Sequence, residues 1–323
     1  MKIKKIFPDA VAIATASSRA FLPYTGVMIR SITACMDRQR TYDIIVITSV
    51  RDRIVERQIQ KENDFENVSI RFFLADDILP GISCFTYGHF SKETYFKLFL
   101  PFAADAYDKV LFLDGDVIVC RDPALLYDMD MGKALVGASL DTDTAGLYHG
   151  ARKGRKQYTD KVLKLRDPDR YFQAGVIVFH IAAWKSQAIT ADSMAALIAS
   201  KKWELLDQDI LNVLCERLVK EIPMQWNVLA DFSNIRIRKH IAKAPENLKE
   251  QYKNARRKPY IIHFAGPVKP WRNPWMDYAQ AFWDCARQTS FYEMILYRRI
   301  EEVKLENRLR AVIRNKIQHI FRR

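Results

Sequence analysis

Lys109-Val110-Leu111-Phe112-Leu113-Asp114-Gly115-Asp116-Val117-Ile118-Val119 is the stretch on which the fold turns. Its apolar residues form a run of strand length, broken only where two aspartates flank a glycine. That pattern suits a buried parallel strand carrying acidic side chains at its end, at a sheet edge. Carboxylates this close to an apolar core are costly unless something neutralises them, and hard oxygen donors suit a bound Mg²⁺ or Mn²⁺. The D-x-D spacing also serves a solvated turn, so the triplet alone leaves both readings open; its apolar flanks favour the metal.

On the N-terminal side of this stretch, strands alternate with helical patterns. Val11–Ala16 reads as a strand, Pro23 to about Met36 as a helix, Tyr42–Ser49 and Val68–Ala75 as further strands, and the charged stretch Asp52–Lys61 between them as a helix. Such alternation implies a mainly parallel, doubly wound α/β sheet with helices on both faces. Neither G-x-G-x-x-G nor G-x-x-x-x-G-K-[ST] occurs there, which excludes a dinucleotide fingerprint and a Walker loop. Lys2, Lys4 and Lys5 ahead of an apolar run imitate a secretion signal, but Pro8-Asp9 interrupts it. Ala10–Ala16 is barely of signal length and is read as the first buried strand.

Glu93–Leu100 reads as a helix, and Ala134–Asp141 as another strand ending in an acid, where α/β folds bind ligands. Residues 142–170 are polar and basic, with Arg152, Lys153, Arg155 and Lys156 clustered. A solvated excursion is the favoured reading there, a lid or acceptor loop the sharper one. Gln173–His180 reads as a strand leading into a helix through Trp184 and Met194. Asp207, Gln208 and Asp209 open another helix, where three polar groups can face a ligand above Ile210, Leu211 and Leu214. Pro259–Ile262 delivers His263 and a loop in which Gly266 permits close backbone approach and Lys269 adds a charge suited to phosphate.

With 323 residues, 49% of them hydrophobic and 12% aromatic, the chain can bury a large core in one large domain or two smaller ones. A net charge of +13 points to anionic partners without choosing among nucleic acid, nucleotide and acidic membrane. The five cysteines are scattered, with no C-x-x-C, so buried thiols in a reducing cytoplasm are expected rather than disulfides or zinc.

In order along the chain, Y-F-K-L-F-L-P from Tyr95, F-L-D-G-D-V from Phe112, G-A-S-L-D from Gly137, F-Q-A-G-V from Phe172, L-D-Q-D-I-L-N from Leu206 and H-F-A-G-P-V-K-P-W from His263 resemble glycosyltransferase family 8. The likeness runs from about Val11 to Trp271, and the order of six motifs makes it far more specific than any one of them. It implies a GT-A fold, a Rossmann-like mixed sheet, and a retaining, metal-dependent hexosyltransferase. The donor would be UDP-glucose or UDP-galactose, and the acceptor a cell-envelope glycan or glycolipid such as lipopolysaccharide core. By the same resemblance Asp114, Asp116 and His263 hold Mn²⁺ or Mg²⁺, Gly266 and Lys269 bind the diphosphate, and Lys97 takes the place of an arginine near the donor. Asp207 and Gln208 fall beside the transferred sugar, with the glutamine facing the anomeric carbon, and Asp141 joins the donor site. Two departures from the family pattern involve three positions. Ser18 and Ala20 stand where relatives carry an aspartate and an asparagine for the nucleoside, and Gln173 replaces a shorter side chain beside the sugar.

Two rivals come from other classes. A haloacid-dehalogenase-like phosphatase also uses D-x-D, but favours a small hydroxyl or valine where Ile118 stands. A basic nucleic-acid-binding protein would interleave stacking aromatics with its charge on a recognised module, and none occurs, so no nucleic acid is expected. The catalytic domain is expected over residues 1–271, with an aromatic and basic helical tail over 272–323. From Leu305 onward apolar residues recur at helical spacing among Arg308, Arg310, Arg314 and Lys316. That stripe suits either a protein contact or an anionic membrane surface. The family likeness tilts it towards peripheral attachment at the cytoplasmic face of the inner membrane.

Overall fold

The structure is a computed structural model in which residues 2–79, 86 and 91–320 are described, with side chains in the last helix as far as residue 309. Strands β1 (Val11–Ser17), β2 (Tyr42–Thr48) and β3 (Val68–Leu74) pair in parallel. β2 is buried along its whole length and β1 nearly so, because apolar layers cover both faces; β3, at one border, is only half covered. Between them run α1 (Leu22–Cys35), entered through Pro23, and α2 (Arg53–Glu62), where Asp52 caps the first turn by accepting from the Val55 amide.

The D-x-D stretch does not form one strand. It divides into β4 (Val110–Leu113) and β5 (Val117–Val119), which belong to different sheets, and the two aspartates occupy the turn between them. β6 (Val136–Leu140), β7 (Phe172–Phe179) and β8 (Val219–Glu221) complete a seven-stranded sheet of order β3-β2-β1-β4-β7-β6-β8. β4 therefore lies inside the sheet rather than at its border, with the acids at its carboxyl end. β7 pairs antiparallel with both β4 and β6, so the sheet is mixed, and every other pairing in it is parallel. A smaller sheet joins β5, β9 (Val228–Leu229) and β10 (Ile261–His263) in the order β5-β10-β9.

Two larger apolar layers sandwich the main sheet: Val11 and Ile13 face one, Ala12 and Ala14 the other, as the two-residue period of a strand requires. Four longer helices follow β7. They are α3 (Ala191–Ala199), α4 (Leu206–Cys215), α5 (Glu246–Arg257) and α6 (Ala279–Ala286), and α7 (Phe291–Ile320) closes the described chain. The helix expected through Trp184 and Met194 is broken in two, because Thr190 and Ser193 form a reciprocal capping box that starts α3 afresh. Lys92–Phe99 winds as a 3₁₀ helix rather than an α-helix.

The 142–170 excursion is solvated at Arg152, Lys153 and Lys156, as read from the sequence, but it is anchored at its fourth basic residue. Arg155 is buried and pairs with Asp209 at 3.3 Å and Glu204 at 3.2 Å, while Tyr158 and Tyr171 donate their hydroxyls to Asp209 at 2.8 and 2.7 Å. Apolar packing also runs past Trp271 without a break: Met276, Phe282, Phe291 and Ile295 are buried in the same cluster as α1. Cys215 is buried, Cys35 and Cys285 are half-buried, and Cys120 is exposed, which corrects the expectation of uniformly buried thiols; Cys84 lies outside the described residues. No described helix is long and apolar enough to cross a membrane.

Candidate active site

Strand order reverses between β1 and β4, with β2 and β3 lying to one side and β7, β6 and β8 to the other. Outside the carboxyl ends of strands at such a reversal there is room for a ligand. A cavity of about 1450 Å³ opens there, lined from β1 by Ser17 and Ser18, from β4 by Asp114 and Asp116, and from α4 by Asp207 and Gln208. The volume exceeds that of a typical small-molecule pocket.

Asp114, Asp116 and His263 converge although 147 residues separate Asp116 from His263, because β5 and β10 pair antiparallel and hold Val117 opposite His263. Each of the three residues offers a ligand atom lying within 4.8 Å of the other two. His263 Nε2 is 3.4 Å from Asp116 Oδ1 and 3.8 Å from Asp114 Oδ2. Two carboxylates and an imidazole on one side of a pocket fit a divalent cation that keeps its other positions for phosphate or water.

Two ammonium groups currently balance the acids. Lys269 bonds Asp116 and donates to the Phe264 carbonyl at 2.8 Å. Burial alone would push the Asp116 carboxyl up, but the charges of Lys269 and His263 outweigh it and hold this group well below the usual carboxylate range. Lys97 is buried and donates to Asp114 at 2.9 Å and the Ala174 carbonyl at 3.0 Å, and it pairs with Asp207 at 2.8 Å. Desolvation works against the Lys97 ammonium, yet Asp114 and Asp207 together raise its pKa. Asp207 itself is pushed up to about 6, first by burial and further by Asp114, with Lys97 opposing.

Gln208 is locked: its Oε1 accepts from the Ala174 amide at 3.0 Å and its Nε2 donates to Asp141 at 2.9 Å. Asp141 also accepts from the Thr144 amide and hydroxyl at 2.9 and 3.0 Å; burial, and then the nearby Asp143, raise its pKa. Gln173 lines the cavity and Ser18 stands at its β1 edge. Gly266 has φ of +95°, a left-handed conformation in which a side chain would be strained. Of the acidic triplet opening α4, Asp209 turns away into the Arg155 cluster, so two of its three polar groups reach the cavity and the third anchors the excursion.

Some cavity residues carry no sequence signal. Arg236 bonds Asp143 and donates to the Ala265 carbonyl at 3.0 Å, beside Gly266, while its buried Nε has no hydrogen-bond partner among the described residues. His240 pairs with Asp143 at 2.8 Å. Behind the cavity wall Asn227 meets His263 Nδ1 at 2.9 Å. Arg236 lies in the short helix Ile235–Lys239, His240 directly after it and Asn227 at the end of the 3₁₀ turn Met224–Asn227, segments too short for a period or motif to mark them.

The model of the family described as glycosyl transferase family 8 matches residues 12–274. The chain belongs to that family. It is a glycosyltransferase, and the fold is of GT-A type. The bifunctional glycosyltransferase WbbM, in apo form, superposes with a TM-score of 0.79 at 28% identity, covering 92% of this chain and 53% of that one. LgtC, a galactosyltransferase solved with donor and acceptor sugar analogues, superposes with a TM-score of 0.67 at 22% identity, covering 86% of this chain and 96% of its own. General stress protein A of Bacillus subtilis is 22% identical over 280 residues, 83% of this chain and 91% of that protein. Glycosyltransferase GlyF of Streptococcus pneumoniae is 25% identical over 212 residues, 65% of this chain. The chain spans about half the length of WbbM and 45% of GlyF. Family membership decides for glycosyl transfer over the phosphatase reading of D-x-D.

Proposed function

We propose that this family 8 enzyme transfers a hexose, with retention of configuration, from UDP-glucose or UDP-galactose to a cell-envelope glycan such as lipopolysaccharide core. The observation that carries the reading is the convergence of Asp114, Asp116 and His263 in one cavity with Lys269, Lys97, Asp207 and Gln208. Asp114, Asp116 and His263 would hold a manganese or magnesium ion, which when bound offsets charge on the departing diphosphate. Lys269 and the Gly266 backbone would bind the same phosphates, with Ser18 near the nucleoside and Gln173, Asp141 and Asp207 around the sugar.

Retention follows from the family resemblance, and the groups lining the cavity bear on the route by which it is reached. Gln208 is an amide with both ends occupied, and Asp207 is held by Lys97, so neither is a free nucleophile. A front-face route suits such a site, in which the departing phosphate takes the proton of the acceptor hydroxyl and Gln208 presents its polar side chain to an oxocarbenium-like centre. Manganese-dependent hydrolysis of UDP-glucose and UDP-galactose, followed by mass analysis with envelope-glycan acceptors, tests the reading. Donor turnover unchanged in EDTA contradicts the metal, and product of inverted anomeric configuration contradicts retention.

The exposed side of residues 272–323 is assigned by the same proposal to attachment, while Met276, Phe282, Phe291 and Ile295 stay in the core. Exposed large apolar side chains gather there, at Trp275, Tyr297, Ile300, Leu305 and Leu309. Residues 309–323 add five basic and no acidic groups. Each basic residue near an anionic bilayer contributes about 1 kcal/mol, so this end would hold the enzyme reversibly at the cytoplasmic face of a membrane.

A further inference from the structure

We infer that Asn227 and Gln173 form a relay that fixes which nitrogen of His263 faces the two aspartates; the inference rests on the metal role proposed for that triad. One donor in this relay has an identity beyond choice. The backbone N–H of Gly175 lies 2.5 Å from Gln173 Oε1, so that end of the side chain is the amide oxygen. An amide oxygen only accepts. The Asn227 atom 3.0 Å from it is therefore the NH₂ group, and Asn227 must turn its own oxygen the other way, towards His263 Nδ1 at 2.9 Å. An oxygen acceptor there requires a proton on Nδ1. A neutral imidazole has a single N–H, so Nε2 is left with its lone pair on the side of Asp116 and Asp114.

Burial makes the relay stringent. Asn227 is 5% exposed and His263 2%, so an Asn227 turned the wrong way would oppose oxygen to oxygen at Gln173 and turn its NH₂ towards His263. Gly175 closes the arrangement from the other side: a Cβ there would fall 2.1 Å from His263 Cε1 and 2.8 Å from Asp114 Oδ2. The ring is thus held in position by packing and in tautomer by hydrogen bonding, as metal-binding histidines require. Asn227 does not line the cavity, so it acts through His263 and is a positioning residue. Gln173 has a second task besides facing the donor.

Two readouts test this. In metal-free protein labelled with ¹⁵N-histidine, the neutral form of His263 should carry its proton on Nδ1; a neutral ring with its proton on Nε2 overturns the relay. Manganese affinity, read from the paramagnetic resonance of the free ion with UDP held constant, should fall about 10–100-fold in Asn227→Leu. Asn227→Asp keeps an acceptor for Nδ1–H but sets an oxygen against Gln173 Oε1, so its manganese affinity should stay within a few-fold of wild type while its Tm falls. Asn227→Leu that folds and binds manganese as wild type does overturns the relay and leaves the proposed function standing. Wild type that binds no manganese overturns the metal role, and the Nδ1 or Nε2 signal then decides the relay by itself. Where Asn227→Leu does not fold, that signal decides as well.

Discussion

Gly175 is glycine for want of space, since its backbone lets β7 pass directly beside His263 and Asp114. Gly175→Ala should cost about 1–3 kcal/mol, the range for overpacking, and should lower manganese affinity with it. Thermal unfolding and metal titration on the same sample check both; a stable variant with intact metal binding would show that the ring can yield. Asp116→Asn keeps shape but removes a ligand charge, and donor hydrolysis should fall at least about 100-fold with the fold retained. Full turnover after chelation and resupply of manganese would count against the triad. Lys269→Ala should weaken UDP binding in manganese by about 1.5–3 kcal/mol, the range for a charged hydrogen bond, and calorimetry reads this directly. Undiminished affinity would confine Lys269 to its contact with Asp116.

At the scale of elements, the irregular segments are held by buried charge. Arg155 ties residues 142–170 to α4 through Asp209. Arg155→Met removes the cation and leaves that carboxylate buried with two tyrosine hydroxyls, which should destabilise the protein by about 3–5 kcal/mol in urea unfolding. A loss below 1 kcal/mol would mean that water reaches Asp209. Asp143 clamps the segment after β6 to Arg236 and His240, and its hydrogen bond raises the His240 pKa above 6.5 while partial burial opposes. A histidine raised on folding adds stability that is fully present below its unfolded pKa and is lost as pH rises through the folded one. His240→Gln should therefore lower Tm more at about pH 6 than at about pH 9, by less than about 1 kcal/mol because the ring is a third exposed. Equal losses at the two pH values would remove the charge from the account.

At the scale of the whole molecule, α7 is anchored at its start and exposed further on. Phe291 packs on Gly26 of α1, Arg298 donates to the Ala20 carbonyl at 2.8 Å, and Arg272 bonds Glu302 at 3.0 Å. Arg298 and Glu301 also line the cavity beside Ser18 and Ala20. Truncation after residue 308 keeps these contacts and removes the five last basic residues. The truncated protein should hydrolyse donor as before but no longer sediment with anionic vesicles at low salt, where each lost basic residue is worth about 1 kcal/mol. Truncated protein that still sediments, or full-length protein that does not, would assign the end of α7 to protein contact.

The sequence by itself determined β1, β2, β3, β6 and β7, since their apolar periods are local, but not the short β8 and β9, and it singled out the residues that meet in the cavity, since six short motifs stand in a set order. Asp114, Asp116 and His263 were legible in this way, as were Lys97, Asp207, Gln208, Gly266 and Lys269. Tertiary structure decided the rest. Strand direction is a property of pairs, so the reversal of β7 and the division of the D-x-D stretch between two sheets leave no mark on the local pattern. Side-chain facing at the start of α4 depends on what packs there: Lys97 draws Asp207 towards the cavity, and Arg155 draws Asp209 away from it. Asn227 sits before a two-residue strand with no motif around it, and its role exists only because β9 lies beside β10 and places its amide against His263. Hydrogen-bond partners are chosen by three-dimensional neighbours, and here those neighbours lie 36 and 54 residues away along the chain.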